Sequence, residues 1–219
     1  MLVEREPGVA AFWKVVMGPA DGGFDRMCRL LRRAEPTRAW FARFMAGVDV
    51  DAPAWLRAAA ALLRSRFAWG GVQHSGAGLT SDAGLASRWR PDTLLRRMAR
   101  IRAERRRFSV VEGDAIQAIR EWEGREEAFL FVDPPYSCGD AAPGRLLYDC
   151  HALDHDALLE AVVSAQGKVV VTYDLTEETL ALAARHGLAT RPLSMRDGRH
   201  RRREELLLVK GAMDDLGAG

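Results

Sequence analysis

The residues best suited to chemistry are four consecutive ones, Asp133, Pro134, Pro135 and Tyr136. They follow the apolar run at residues 128–132 (AFLFV), which is typical of a strand buried on both faces of a parallel sheet. Ligands of open α/β sheets bind beyond the carboxyl ends of the strands, so this position favours a functional role. A simple turn at the end of a strand is the alternative, because Asp-Pro is common in turns.

This segment suits the activation of an exocyclic amine on an aromatic base. Such an amine is a poor nucleophile because its lone pair is delocalised into the ring. The Asp133 carboxylate and the Pro134 carbonyl can accept its two N–H protons and draw the lone pair out of conjugation. Two prolines hold the loop extended, and Tyr136 offers a ring on which a base can stack. We therefore expect Asp133, Pro134, Pro135 and Tyr136 to be the catalytic residues.

The elements that position this segment alternate between strands and helices. Strands are predicted at residues 1–4, 108–111, 128–132, 168–173 and 205–210, and helices at residues 9–17, 115–122, 154–165 and 177–186. This alternation predicts an α/β fold with a doubly wound parallel sheet. Residues 18–107 differ, because their pattern is helical and irregular, with the clearest helices at residues 54–67 and 91–106.

Two clusters of arginine are candidates for contact with phosphate groups. The first lies in the predicted helix at residues 91–106 and the second in a loop after Gly198; their members include Arg96, Arg97 and Arg100, and Arg199, Arg201, Arg202 and Arg203. Guanidinium groups neutralise the phosphates of a nucleic acid, and each contact adds to the salt dependence of binding. The alternative for each cluster is a solvated surface without a partner.

On these motifs the chain resembles the DPPY-type DNA adenine-specific methyltransferases, a family that includes the bacterial and phage GATC methylases. Besides DPPY itself, the segments LVE at 2–4, SVVEGDA at 109–115 and DHDALL at 154–159 match motifs of that family in the same order. The resemblance implies a Rossmann-like methyltransferase sheet. It also implies methyl transfer from S-adenosylmethionine to the exocyclic amino group of a flipped adenine in double-stranded DNA.

The resemblance assigns further roles and boundaries. Glu4 matches the acid that binds the ribose hydroxyls of the cofactor, Asp114 with Ala115 matches the segment at its adenine, and Asp133 completes the cofactor-binding set. Residues 1–17 and 108–210 would form the catalytic core and residues 18–107 a helical target-recognition insertion, with a tail at residues 211–219. No metal is expected at this site.

The family also has two segments that would precede Leu2: a glycine-lysine stretch and a glycine-rich loop after its first strand. The chain thus opens at the counterpart of the second strand, as an N-terminally truncated form, and unpaired strand edges are expected beside the missing strand. A late gene start, an N-terminal fragment that docks in trans, and a non-catalytic remnant are open explanations. The alternative function is a truncated or split subunit that binds DNA or a partner and is inactive without that fragment. Methylation of adenine in RNA also stays open.

Composition excludes several classes of protein. Hydrophobic residues make up 48% and charged residues 28% of the 219 residues, a balance that argues against disorder. The net charge is only +2, so a nucleic-acid partner must be recognised by local clusters. The three cysteines form no C-x-x-C pair, which argues against a zinc ribbon. Without an apolar run of about 20 residues or a basic leader, we expect no membrane span and a cytoplasmic location.

Overall fold

The structure is a computed structural model that describes residues 1–68, 78–135, 153–196 and 202–210. Within these ranges the chain is a mixed α/β protein that forms two compact units, Met1–Asp114 and the residues from Ala115 onward. The division after Asp114 differs from the boundaries predicted at residues 17 and 108. The predicted organisation, a catalytic core with a helical insertion, stays a prediction.

The first unit is a helical cluster with one pair of short strands. The strands are β1 (Leu2–Glu4) and β2 (Val110–Glu112). The helices are α1 (Pro7–Met17), α2 (Gly23–Arg33), α3 (Arg38–Ala46), α4 (Ala54–Phe67), α5 (Asp82–Arg88) and α6 (Pro91–Ala103), followed by a 3-10 turn at Arg105–Arg107. β1 and β2 are parallel, with Glu4 opposite Glu112, so these two acids mark the carboxyl end of the pair.

The core of the first unit lies between α1, α2, α4 and α6. Val16, Met27, Leu31 and Leu63 are fully buried there, and the helices bury such residues at intervals of three or four positions. The Ala-rich face of α4 allows α1 to approach closely, since Ala58, Ala59 and Ala60 are buried and have small side chains.

The second unit is a four-stranded mixed sheet with three helices. Its elements in chain order are α7 (Ala115–Glu121), β3 (Phe129–Val132), α8 (His155–Ser164), β4 (Lys168–Asp174), α9 (Glu177–Arg185), β5 (Ala189–Arg196) and β6 (Arg202–Val209). The strand order is β3-β4-β6-β5, with β3 and β4 parallel and the other two pairings antiparallel. Gly187 ends the turn after α9 with φ +65°, a conformation that favours glycine.

The predicted burial of β3 on both faces is wrong. Phe129 and Phe131 are 60% and 63% exposed, whereas Leu130 and Val132 pack against the core. The reason is that β3 is an edge strand, bonded to β4 alone within the described sheet. Leu130 and Val132 share their face with the cluster that α7, α8 and α9 complete. On the opposite face Phe129 and Phe131 are exposed, although Val170 and Thr172 of β4 are buried on that face.

Strand β5 was not expected, and β6 begins earlier than predicted. β5 contains Pro192 and exposed polar side chains, so it lacks the apolar pattern of a core strand. β6 begins at Arg202 rather than at residue 205, and Met195 pairs with Arg203. Arg202 and Arg203 thus lie in a strand and not in a loop, while Arg199 and Arg201 lie outside the described residues.

Candidate functional site

Asp133 is the first residue after β3 and lies at the carboxyl end of the parallel pair β3–β4, where Val132 is opposite Val171. Asp133 is exposed, and one of its carboxylate oxygens is held by the neighbouring strand: Thr172 Oγ1 donates a hydrogen bond to Asp133 Oδ1 at 2.7 Å. Thr172 itself is 5% exposed. A buried hydroxyl therefore fixes the orientation of a carboxylate that faces solvent.

The two prolines continue from this carboxylate. Pro134 is buried and Pro135 half-buried, and neither has a backbone N–H group. The two prolines thus contribute carbonyl oxygens but no backbone donors. Tyr136 lies outside the described residues, so the structure places three of the four predicted catalytic residues, and their roles stay predictions.

Sequence reasoning missed Thr172. A threonine inside the run KVVVTY carries no signal, because β-branched residues are common in strands. Its signal is positional, since the parallel register brings the end of β4 beside the end of β3. The next residue, Tyr173, points to the opposite face, where its hydroxyl lies 2.7 Å from His155 Nδ1 at the start of α8. This contact joins the start of α8 to β4 on the face of the sheet opposite Thr172.

Glu4 ends β1 in the first unit and is half-buried. Its Oε1 accepts a hydrogen bond from the backbone N–H of Glu6 at 2.9 Å, in the turn that leads into α1. Burial raises the pKa of Glu4, and the nearby charge of Glu6 raises it further, while hydrogen bonds from the backbone of Glu6 and Arg5 oppose the shift. The predicted ribose-binding acid therefore also has a local structural role.

The raised pKa predicts how Glu4 affects stability. A carboxyl group that binds its proton more tightly in the folded chain destabilises that chain as pH rises from the ordinary glutamate value, about 4.3, through the raised folded value. Glu4→Gln removes this titration. The free energy of unfolding of the variant, relative to that of wild type, should therefore increase between pH 4 and neutral pH. Urea unfolding at both pH values measures it, with Glu35→Gln at an exposed residue as the control. Parallel pH profiles for wild type and Glu4→Gln would contradict the prediction.

Asp114 lies at the same end of the strand pair as Glu4. The backbone N–H of Gly113 donates to the Glu4 carbonyl at 3.1 Å, which continues the pairing beyond β2 up to Asp114. Ala115 begins α7 and belongs to the second unit. Carboxylates at the carboxyl end of parallel strands can accept hydrogen bonds from ribose hydroxyls and from an amino group. These acceptors have the chemistry that the predicted contact with a nucleoside requires.

The predicted phosphate-binding arginines of α6 lie on its exposed face. Arg96, Arg97 and Arg100 are exposed, whereas Leu95 and Met98 on the opposite face are buried. Arg96 donates a hydrogen bond to Thr93 Oγ1 of the same helix at 3.3 Å. The structure thus leaves these guanidinium groups accessible to a partner.

Arg102 of the same cluster has a structural role that the sequence did not reveal. Its Nη1 donates to the carbonyls of Val15, Val16 and Gly18 at 2.9–3.2 Å, and its Nη2 donates to Pro19. The guanidinium also lies over the ring of Phe24, 4.6 Å from its centroid. Arg102 therefore caps the carboxyl end of α1 and is engaged inside the first unit.

The charge of the chain is divided unequally between its two parts. Residues 1–114 contain 20 Lys and Arg and 12 Asp and Glu, a net charge of +8, while residues 115–219 contain 12 and 18, a net charge of −6. The overall net charge conceals this division. The net positive charge is thus concentrated in residues 1–114, while Asp133 lies in the part of the chain with a net negative charge.

Among the described residues, no His, Cys, Asp and Glu side chains form a group of three or more that could hold a metal ion. None of the helices in these described ranges has the length and hydropathy needed to cross a membrane. Comparison of the whole chain with models of protein families and with curated proteins found no match.

Proposed function

We propose that this chain is an S-adenosylmethionine-dependent methyltransferase that modifies the exocyclic amino group of adenine in DNA. The observation that carries the proposal is Asp133, an exposed carboxylate at the carboxyl end of β3, oriented by Thr172 and followed by two prolines. Acceptors in this arrangement are suited to an aromatic amine, because they accept its N–H protons and localise the nitrogen lone pair.

The strand pairings support a Rossmann-like sheet as the fold behind this function. β1 and β2 are parallel, and so are β3 and β4, which are joined through α8. In each pair a candidate acid, Glu4 or Asp133, lies at or just beyond the carboxyl end. Parallel pairs of this kind bind nucleotides at that end, which is why we assign both acids to ligand binding.

Each candidate residue has its own role in this proposal. S-adenosylmethionine, when bound, supplies an electrophilic methyl group on a positively charged sulfur. Glu4 and Asp114 bind its nucleoside part, while the Asp133 carboxylate and the Pro134 carbonyl accept hydrogen bonds from the adenine amino group. These bonds would localise the nitrogen lone pair for attack on the methyl carbon. As the N–C bond forms, the C–S bond would break and leave a neutral thioether, and the amine would then lose its proton to solvent. Catalysis comes mainly from orientation and from preorganised acceptors.

The adenine must leave the DNA stack to reach Asp133. Duplex bases are buried between neighbours, so enzymes that modify them extrude the target nucleotide at a cost of a few kcal/mol. The +8 charge of residues 1–114, including the exposed arginines of α6, can offset that cost by binding the backbone. Substrate binding and chemistry thus use different parts of the chain.

A second candidate function is a subunit that becomes active only with an additional strand. The edge strand β3 carries no charge and no proline, and Phe129 and Phe131 are exposed on it. The other edge, β5, has Pro192 and Arg191, which protect an edge against pairing. The additional strand would come from a segment outside these 219 residues, on the same polypeptide or in trans.

One pair of measurements separates the two candidates. Calorimetry on the purified chain should detect binding of S-adenosylmethionine, and transfer of labelled methyl to unmethylated duplex DNA should yield N6-methyladenine. Binding with transfer supports the first proposal. A folded chain that binds no cofactor favours the second, and binding without transfer to any DNA or RNA adenine contradicts the assignment of Asp133.

Thr172 provides a more specific test of the site. Thr172→Val removes the hydrogen bond to Asp133 while keeping the shape of the side chain. Loss of a bond worth about 1–1.5 kcal/mol in the transition state should lower kcat roughly tenfold. Thr172→Ser keeps the hydroxyl and should stay within about twofold of wild type. Equal kcat values for the Val and Ser variants would refute the positioning role.

A further inference from the structure

We infer that the exposed face of α2 binds the phosphate backbone of duplex DNA. The choice of DNA as the polyanion rests on the proposed function, but the binding itself requires no methyl transfer. α2 lies outside both arginine clusters that the sequence suggested, and it carries four arginines, Arg26, Arg29, Arg32 and Arg33. We refer to their exposed face as the α2 surface.

The four guanidinium groups of the α2 surface are available to a ligand. All four residues are exposed, whereas Met27, Cys28 and Leu31 on the opposite face are buried in the core. Among the residues that the structure describes, no hydrogen bond or ion pair joins any of these arginines to another side chain. Asp25 in the first turn is the one acid of the helix. Four unpaired cations on 11 residues repel one another, and a polyanion would relieve that repulsion.

The spacing of the arginines suits a nucleic-acid backbone. Arg26, Arg29 and Arg33 follow one another at intervals of three and four residues and form a single stripe along the helix. The stripe rises about 10 Å. One strand of duplex DNA presents a phosphate about every 3.4 Å along the helix axis, so the stripe matches about three phosphates.

The α2 surface is held rigidly, which lowers the entropic cost of binding. Arg102 of α6 stacks on Phe24 of α2 and caps the end of α1, so it ties the three helices together. α2 is packed beside α6.

A lipid surface fits the α2 surface less well than DNA does. A helix that lies in a membrane interface inserts an apolar face, but the apolar residues of α2 face the protein core. α2 also has no large hydrophobic residue among the exposed ones of the chain. Affinity for a ligand here must therefore come from charge.

The test replaces Arg26, Arg29 and Arg33 together by glutamine. A matched control replaces Arg43, Arg66 and Arg90, three exposed arginines on other helices or helix ends of the same unit, and changes the net charge equally. Affinity for 20-base-pair duplexes of unrelated sequence is measured between 50 and 200 mM salt, with circular dichroism to verify folding. The α2 variant should bind about tenfold or more weakly on every duplex, and its log–log salt slope should fall by about two to three. The control should stay close to wild type.

Each other result overturns the inference. These results are no duplex binding by wild type at 50 mM salt, an unchanged slope in the α2 variant, an equal loss in the control, or tighter binding of RNA or polyglutamate than of duplex DNA. The proposed function fails differently, since it is tested by methyl transfer. If the protein transfers no methyl group but the α2 variant binds DNA more weakly, the α2 surface is supported and the proposed function is not. If methyl transfer is normal but the salt slope of the α2 variant is unchanged, the α2 surface is refuted and the proposed function stands.

Discussion

Replacing Asp133 by alanine is expected to lower the rate of methyl transfer by about 10²–10³-fold while the fold is retained. The side chain is exposed at the end of β3, so its removal leaves no cavity in the core. Its loss removes the charged acceptor on which localisation of the amine lone pair depends. Single-turnover transfer to duplex DNA, with circular dichroism on the same samples, measures both parts of the prediction.

Asp133→Asn tests whether charge or shape matters at this position. The amide keeps an acceptor oxygen and nearly the same size but loses the negative charge, so its rate should lie between those of wild type and the alanine variant. Glu160→Gln, at an exposed position on α8, is the control and should have no effect. A wild-type rate in Asp133→Ala, with an unchanged circular-dichroism spectrum, would refute the assignment of the site.

Local sequence signals were sufficient for much of the fold. The helix predicted at residues 54–67 coincides with α4, and the glycine expected to close the helix after residue 186 is Gly187. The strand before Asp133 was also placed within one residue. In each case the signal is local, since periodicity, capping and φ preference act over a few residues.

The failures share a different cause, which is dependence on distant residues. The run Phe129–Val132 has the composition of a buried strand, but its burial depends on whether another strand and another layer cover it. Arg102 and the exposed arginines beside it lie in one helix and look alike in the sequence. Arg102 differs because it binds carbonyls at the end of α1, which is more than 80 residues away in the chain. Thr172 is likewise identified by the register of β4 against β3.

The unequal distribution of charge along the chain is consistent with the proposed function. In the proposed function, the +8 net charge of residues 1–114 binds the DNA backbone, while Asp133, within residues 115–219 of net charge −6, acts on the target base. This arrangement predicts that affinity and catalysis are separable. Variants of the α2 surface should change binding and its salt dependence, while Asp133 variants should change transfer on DNA that is already bound.

The largest effect on stability is expected from Arg102→Ala. The change leaves the terminal carbonyls of α1 without their charged donor and removes the contact with Phe24. Charge-assisted hydrogen bonds, the helix dipole and the ring contact each contribute, so the free energy of unfolding should fall by about 2–3 kcal/mol. Urea or thermal unfolding of the whole chain measures the loss.

Two comparisons show whether the geometry of Arg102 or its charge is responsible. Arg100→Ala removes an arginine from the same helix that is exposed and has no partner among the described residues, so it should cost less than about 0.5 kcal/mol. Arg102→Lys keeps the positive charge near the end of α1, but a single ammonium cannot reproduce the planar fork of donors that reaches four carbonyls. Its stability should therefore lie between wild type and Arg102→Ala. Equal losses for Arg102→Ala and Arg100→Ala would show that the cap is not what secures α1 against α6.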